Sequence, residues 1–258
     1  MMHTYHLVAV TLMLLLPGIR EIKAEVVEFP RRVTIAPPGE GPAHVFAAEE
    51  LRDFLVQSRA VGDAQITPPG AEAFIRLSLS NDLAPEEIRY RIAADGVAIE
   101  SGDARGLLYA VWEFCERELG VRFLTSEFTH VPDHGGKLTL REKVLRHRSP
   151  FPRLRENYYK ANWGDPLFPS RLRLHAPGLK AKGVDAQRLG GPQRFGLINH
   201  SLHNYVPSRT YGKAHPEYFA LIDGKRHAEV EADWGGHGTQ LCYSHPDVLR
   251  IVTERVLE

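Results

Sequence analysis

The sequence predicts a mixed α/β fold: a small sheet packed with helices, then a loop-rich second domain. Three observations predict it. Between residues 25 and 145, short β-branched runs alternate with two segments of helical periodicity. Over Arg141–Arg148 the composition turns basic, and Ser149-Pro150-Phe151-Pro152 follows. Beyond Arg153 the chain is rich in Gly, Pro, His, Tyr and Asn, the composition of loops that carry sites on a rigid scaffold.

In chain order, residues 1–24 read as an export signal. The apolar run Leu7 to Leu16 has the length of a signal h-region and is too short to span a bilayer. Pro17 and Gly18 break it, and Ala24 is a small residue ahead of a cleavage point. The competing reading is a buried N-terminal strand or helix. As a signal, the segment starts the mature chain near Glu25 and places it in the periplasm or outside the cell.

The domain 25–145 follows. Val26 to Ile35, stopping at Pro37-Pro38, predicts a strand. Ala47, Leu51, Phe54, Leu55 and Ser58 recur at three- and four-residue spacing, which predicts a helix of about four turns. Phe74 to Leu79 predicts a short strand. Tyr90 to Ile99 alternates around Asp95-Gly96, a pair suited to a type I′ hairpin turn. Asp103 is placed to cap a second helix, with Leu107, Leu108, Val111, Trp112, Cys115 and Leu119 as its apolar stripe and Gly120 as its stop. Val121 to Leu124 and Lys137 to Leu140 are further short strands. The basic run and its prolines make 146–152 a linker or a solvated loop, before a domain 153–258.

Composition excludes several functions. The 258 residues are 43% hydrophobic and 25% charged, with 32 Lys and Arg against 32 Asp and Glu. A chain so balanced lacks the basic excess of a nucleic-acid binder. No run of 18 apolar residues spans a membrane. Two cysteines, Cys115 and Cys242, exclude a disulfide-rich scaffold and a Cys-x-x-Cys zinc site. Cys115 lies on the helical stripe and reads as core, and Cys242 as a buried wall position. His200 and His203 have H-x-x-H spacing without the Glu of a zinc-protease signature, and Gly235-Gly236-His237-Gly238 is no phosphate loop. No metal and no cofactor is expected. Trp163, Trp234, Tyr158 and Tyr159 could stack on sugars or simply be buried.

Two stretches carry a resemblance. Asp103-Ala-Arg-Gly-Leu-Leu-Tyr-Ala-Val-Trp, continuing through Glu118-Leu-Gly-Val-Arg-Phe-Leu124, resembles the non-catalytic N-terminal domain of α-glucuronidases and β-hexosaminidases. Asn199-His-Ser, His215-Pro-Glu-Tyr-Phe-Ala-Leu-Ile-Asp-Gly-Lys-Arg226 and Gln240-Leu-Cys-Tyr-Ser-His-Pro-Asp-Val248 resemble a bacterial family of unknown function, family 4838. The resemblance implies that a (β/α)8 barrel begins after Pro152, with strands at 153–157, 196–199 and 239–242. Such a barrel takes about 250 residues, so this chain would hold only its start.

The function so implied is that of the N-terminal part of an exported glycoside hydrolase acting on oligosaccharides or polysaccharides. The resemblance puts its catalytic carboxylates beyond residue 258, and no Asp-Glu dyad occurs in the chain. The barrel exits would offer Arg155, Asn157, Asn199, His200, His203 and Gln240 to sugar hydroxyls, with Arg155 suited to a uronate carboxylate. Loop-stabilising hydrogen bonds are the alternative role for each. A carbohydrate-binding module without hydrolysis, or a structural accessory domain, remains the competing reading of the whole. The partner expected is a carbohydrate, not nucleic acid.

Overall fold

The computed structural model describes residues 25–151, 155, 166–175, 185–191, 201–228 and 240–258. They form two compact units divided between Gln193 and Arg194.

The first unit is built on a six-stranded sheet. Its strands are β2 (Arg32–Ala36), β3 (Asp63–Ile66), β4 (Ile75–Leu79), β5 (Ile88–Ala93), β6 (Gly96–Ser101) and β10 (Lys143–His147), in the order β10-β5-β6-β4-β2-β3. The pairs β2–β3, β2–β4 and β4–β6 are parallel, whereas β5–β6 and β5–β10 are antiparallel. Helices α1 (Pro42–Gln57) and α2 (Ala104–Glu118) pack on the sheet and on each other. Ile35, Ile75, Tyr90, Ile92, Val97 and Ile99 are buried with Leu51, Leu55, Leu107, Leu108, Trp112 and Phe114 of the helices. Burying side chains of this size stabilises by about 1.5–3 kcal/mol each, and that apolar layer is the core. Alternate positions such as Arg76, Arg89, Arg91 and Glu100 are only partly buried, as a one-sided sheet requires.

Local chemistry sets the element ends. Pro42 occupies the first turn of α1, where a missing N–H costs nothing; the helix therefore starts five residues ahead of the predicted apolar stripe. Asp103 caps α2, accepting from the Gly106 N–H at 2.7 Å, and Gly120 follows the helix at φ +70°. Gly106 is required by close approach: a Cβ there would lie 2.0 Å from Ser101 Oγ and 2.7 Å from Glu86 Cα.

Three expectations change. The predicted strand Val26 to Ile35 is broken at Phe29-Pro30, because proline offers no ladder N–H; β1 (Val26–Glu28) pairs separately with β9 (Thr139–Arg141). In the hairpin Ala93 pairs with Gly96, so Ala94 and Asp95 form the turn. Neither has positive φ, and a type I′ turn needs it at both positions. The basic run is no bare linker, since Lys143–His147 form β10 at the sheet edge. Lys, Arg and His there are what an edge strand uses against unwanted pairing. β7 (Arg122–Phe123) and β8 (Thr129–His130) make a small ladder between α2 and β9.

After β10 the first unit adds α3 (Leu167–Arg171) and a 3-10 turn at Ala186–Leu189. The second unit has α4 (Ser208–Tyr211), the hairpin β11 (Leu221–Ile222) and β12 (Lys225–Arg226), and α5 (Pro246–Leu257). Val206, Tyr218, Phe219, Ala228, Leu241, Val248 and Ile251 form its core. Of the three expected barrel strands, 196–199 lies outside the described residues, as does 153–157 except Arg155, which is in no strand. In 239–242, Leu241 makes an isolated antiparallel bridge to Phe219. Residues 1–24, expected as an export signal, also lie outside the described residues. No described helix is long and apolar enough to cross a membrane.

Asp103→Ala should lower the stability of the first unit by about 1 kcal/mol, the worth of an N-cap, while Asp103→Asn should retain most of it. Urea unfolding of both variants against the parent chain checks this; equal losses in both would contradict the capping role.

Candidate functional site

The polar chemistry of the first unit lies along one seam. Glutamates on α1, on α2 and in the β4–β5 connection meet arginines that the chain brings back after residue 150. Glu50 on α1 is only 7% exposed, and a buried carboxylate needs partners. It has two, which give three hydrogen bonds: Arg171 binds both oxygens, at 2.9 Å each, and the Trp112 indole N–H donates at 2.8 Å. The Arg171 guanidinium also lies over the rings of Phe54 and Phe123, 5.4 and 5.3 Å from their centroids. Arg188 repeats the pattern with Glu49 at 2.7 Å and the Phe46 ring at 4.4 Å. Arg173 pairs with Glu113 and Glu116. Each arginine thus joins a carboxylate pair or a ring contact to the helix face, and cation–π contact adds most where water is excluded.

Glu86 is the tightest node. Its backbone holds a left-handed φ of +59°, uncommon for a residue with a Cβ, and the Asp103 carboxylate accepts from its N–H at 3.3 Å. Its side chain takes an Arg155 guanidinium nitrogen and the Nε2 of His175, the latter 3.1 Å from both oxygens. The Arg155 backbone N–H donates to His175 Nδ1 at 3.1 Å, which leaves Nε2 to carry the proton toward Glu86. Arg105 stands 3.5 Å from Glu86 and donates to the carbonyls of Gly190 and Gly191. Burial pushes the Glu86 carboxyl up, but hydrogen bonds from His175 and Arg155, with the Arg155 charge, outweigh it and hold it below the ordinary value. Asp103, Arg105 and Gly106 of the Asp-Ala-Arg-Gly motif therefore converge on Glu86.

In the second unit the two His-Pro-acid segments build helix starts around one tyrosine. His215-Pro216-Glu217 opens a 3-10 turn, with His215 Nδ1 3.0 Å from Glu217. The His245 ring accepts from the Asp247 N–H at 3.3 Å and caps α5. His215 stacks on the Tyr218 ring at 4.6 Å, and His245 contacts the same ring at 4.8 Å. Burial, with Asp247 and Glu217 nearby, raises the Tyr218 hydroxyl above its ordinary value.

The structure places the expected sugar-binding residues unevenly. Arg155 donates to Glu86, to the Arg173 and Phe151 carbonyls, and lies over the Tyr109 ring. His203 sits on the 3-10 turn Leu202–Asn204, half-buried. Gln240 is exposed, and its carbonyl accepts from the Ala220 N–H at 2.8 Å. Asn157, Asn199 and His200 lie outside the described residues, as do Tyr158, Tyr159, Trp163 and Trp234. Cys115 is buried and Cys242 is half-buried rather than walled in; both are free thiols. The Ser244 hydroxyl and Arg226 hold the Cys242 thiol below its ordinary value. Among the described residues no three His, Cys, Asp or Glu side chains are grouped to hold a metal ion.

Residues 123–258 match the family described as Domain of unknown function (DUF4838), more than half of the chain. The chain belongs to the DUF4838 family. No curated protein matches it. Among solved structures it is similar to the Streptomyces plicatus N-acetyl-β-hexosaminidase, at 16% identity over 48% of this chain and 24% of that one, with a TM-score of 0.37. A GH20 β-N-acetylhexosaminidase from Streptomyces coelicolor A3(2) gives 17% identity over 51% and 26%, with a TM-score of 0.39. The chain spans about a quarter of the length of these two enzymes.

In this DUF4838 chain, spacing along the sequence missed the seam glutamates, because each lies far from its partner. One signal was present: Arg171-Leu172-Arg173-Leu174-His175 alternates a donor-bearing side chain with leucine, and its three polar members reach Glu50, Glu113 and Glu86.

A pH test follows. Since the folded Glu86 carboxyl lies below its unfolded value, its stabilisation is complete above the unfolded pKa of about 4.3. It is lost as pH falls through the folded value. Glu86→Gln should therefore lower stability at pH 7 by about 2 kcal/mol, the scale of charged hydrogen bonds, with a smaller deficit at pH 3. Urea unfolding at both pH values checks this; a deficit that does not shrink would contradict it.

Proposed function

We propose that this chain is the N-terminal part of an exported glycoside hydrolase acting on oligosaccharides or polysaccharides, with its first unit a non-catalytic brace. The use made of the Asp103 to Leu124 motif carries the reading. That stretch resembles the non-catalytic domain of α-glucuronidases and β-hexosaminidases, and here its residues serve scaffolding. Asp103 caps a helix, Gly106 admits the Glu86 backbone, and Leu107 to Trp112 are buried. The carboxylates Glu50, Glu86, Glu113 and Glu118 are all paired with cations of the same chain. A glycosidase needs a proton-donating carboxyl and a second carboxylate across the bond, and in this reading both come from outside the chain. Sugar contact falls to His203 and Gln240, with Asn157, Asn199 and His200. Arg155, which pairs with Glu86, is left out of that set, and no uronic acid is assigned on its account.

The pairing of those same glutamates also favours the alternative, an accessory protein that binds or braces without hydrolysis. Glycan-array binding and aryl-glycoside turnover by the purified 258-residue chain, and by a longer DUF4838 chain, test both. The expected outcome is saturable oligosaccharide binding without turnover by the short chain, and turnover by the longer one. His203→Ala and Gln240→Ala should each weaken binding by about 0.5–1.5 kcal/mol, the net worth of one hydrogen bond. Absence of binding to any glycan by either chain would overturn the reading. Binding without turnover in the longer chain would leave the accessory role.

A further inference from the structure

A cleft of about 430 Å³ opens at the C-terminal end of α2, within the range of about 300–1,000 Å³ for small-molecule sites. The last turns of α2 line it together with the sheet edge, where Leu145 of β10 is half-buried and Tyr90 of β5 lies fully buried behind the lining. Its charges are layered. The side chains of Glu113 and Glu118 are 7% and 4% exposed, against 52% for Arg117 and 40% for Lys143. Each acid at the back is already satisfied. Glu113 takes Arg117 Nε at 2.5 Å and Arg173 at 3.2 Å. Glu118 takes Lys143 Nζ at 2.7 Å and the Tyr90 hydroxyl, and Glu116 takes Arg173.

The cations in front keep donors to offer. Arg117 and Lys143 each reach their glutamate through a single nitrogen, and a lysine ammonium carries three donors. Arg122 has no carboxylate partner among the described residues; its Nη1 donates to the carbonyls of Glu116 and Val121, at 2.6 and 2.7 Å. Four cations, Arg117, Arg122, Lys143 and Arg173, face three carboxylates in the lining, so it carries one net positive charge. An entering cation would meet carboxylates already neutralised. An entering anion would meet unused guanidinium and ammonium donors, the groups that pair best with oxyanions.

We propose that this cleft binds a small polyol bearing one monoanionic group, a carboxylate or a sulfate ester, through Arg117, Arg122 and Lys143. The single net charge favours a monoanion, and the dense donors and acceptors of the lining suit hydroxyls. The proposal concerns the first unit alone and stands whether or not the chain belongs to a glycoside hydrolase.

Calorimetric and ligand-observed NMR titration of the full 258-residue chain at low ionic strength tests it. The probes are glucuronate, glucose 6-sulfate, glucose and sodium sulfate. The expected result is saturable binding of glucuronate or the sulfated sugar at millimolar concentration or below, weaker binding of sulfate ion, and none of glucose. Which anionic sugar binds separates carboxylate from sulfate. Arg122→Gln should weaken binding roughly tenfold and Arg122→Lys should restore part of it. Arg91→Gln, which removes an exposed arginine paired with Asp95 on the opposite face of the same strand pair, should change nothing. Amide shifts confined to residues 117–122 and 143–145 would support the site without any variant. Equal binding of glucose, no binding of either anionic sugar, sulfate ion binding as well as the sugars, unchanged affinity in a folded Arg122→Gln chain, or equal loss in Arg91→Gln would overturn the proposal.

Discussion

Burial of carboxylates on the helix face is the constraint on which the rest of the first unit depends. Glu50 and Glu113 sit at 7% and 5% exposure, and the Glu86 side chain at 10%. Removing the arginine from such a pair costs about 3–5 kcal/mol, because the carboxylate is left charged in low dielectric. Arg155, Arg171 and Arg173 meet that requirement, and three of the seam arginines add ring contacts to Tyr109, Phe54, Phe123 and Phe46. Helices α1 and α2 therefore do not end the unit with a solvated face. They are the middle layer, with the sheet on one side and described residues of 155–191 fastened to the other.

This arrangement moves the structural boundary away from the family boundary. The DUF4838 match begins at Phe123, yet β9, β10 and the arginine-bearing segment belong to the first unit, which extends to Gln193. The family region thus completes the sheet domain before it forms anything of its own. The Asp103 to Gly106 turn sits at the meeting point: it caps α2, accepts the Glu86 backbone and, through Arg105, holds the Gly190-Gly191 carbonyls. A motif that resembles a non-catalytic domain is, in this chain, a junction.

What the sequence made legible was local. The cap at Asp103, the stripe from Leu107 to Leu119 and the stop at Gly120 depend on neighbours within four residues, and they fold as the spacing predicts. Pro30 and the Ala94-Asp95 turn were misread where β-branched runs and an Asp-Gly pair outweighed the backbone geometry. β10 was hidden because an edge strand rich in Lys, Arg and His has the composition of a solvated loop. The seam was hidden for a different reason. Glu50 and Arg171 are 121 residues apart, and Glu86 and Arg155 are 69 apart, so only the alternation of Arg171, Arg173 and His175 hinted that three carboxylate partners lie together. Of the residues singled out for sugar contact, the structure ties Arg155 into the scaffold and describes His203 and Gln240 in the second unit.

Hydrogen exchange read by mass spectrometry tests the account most directly. The variant combines Glu50→Gln, Glu86→Gln and Glu113→Gln, and protection is compared with the parent chain at pH 7. The account predicts that amides of 166–175 lose protection while those of 185–191, held by Glu49 and Arg105, and the buried amides of β4, β5 and β6 keep theirs, since local opening follows the contacts that hold each segment. Unchanged protection over 166–175 in a folded variant would contradict it.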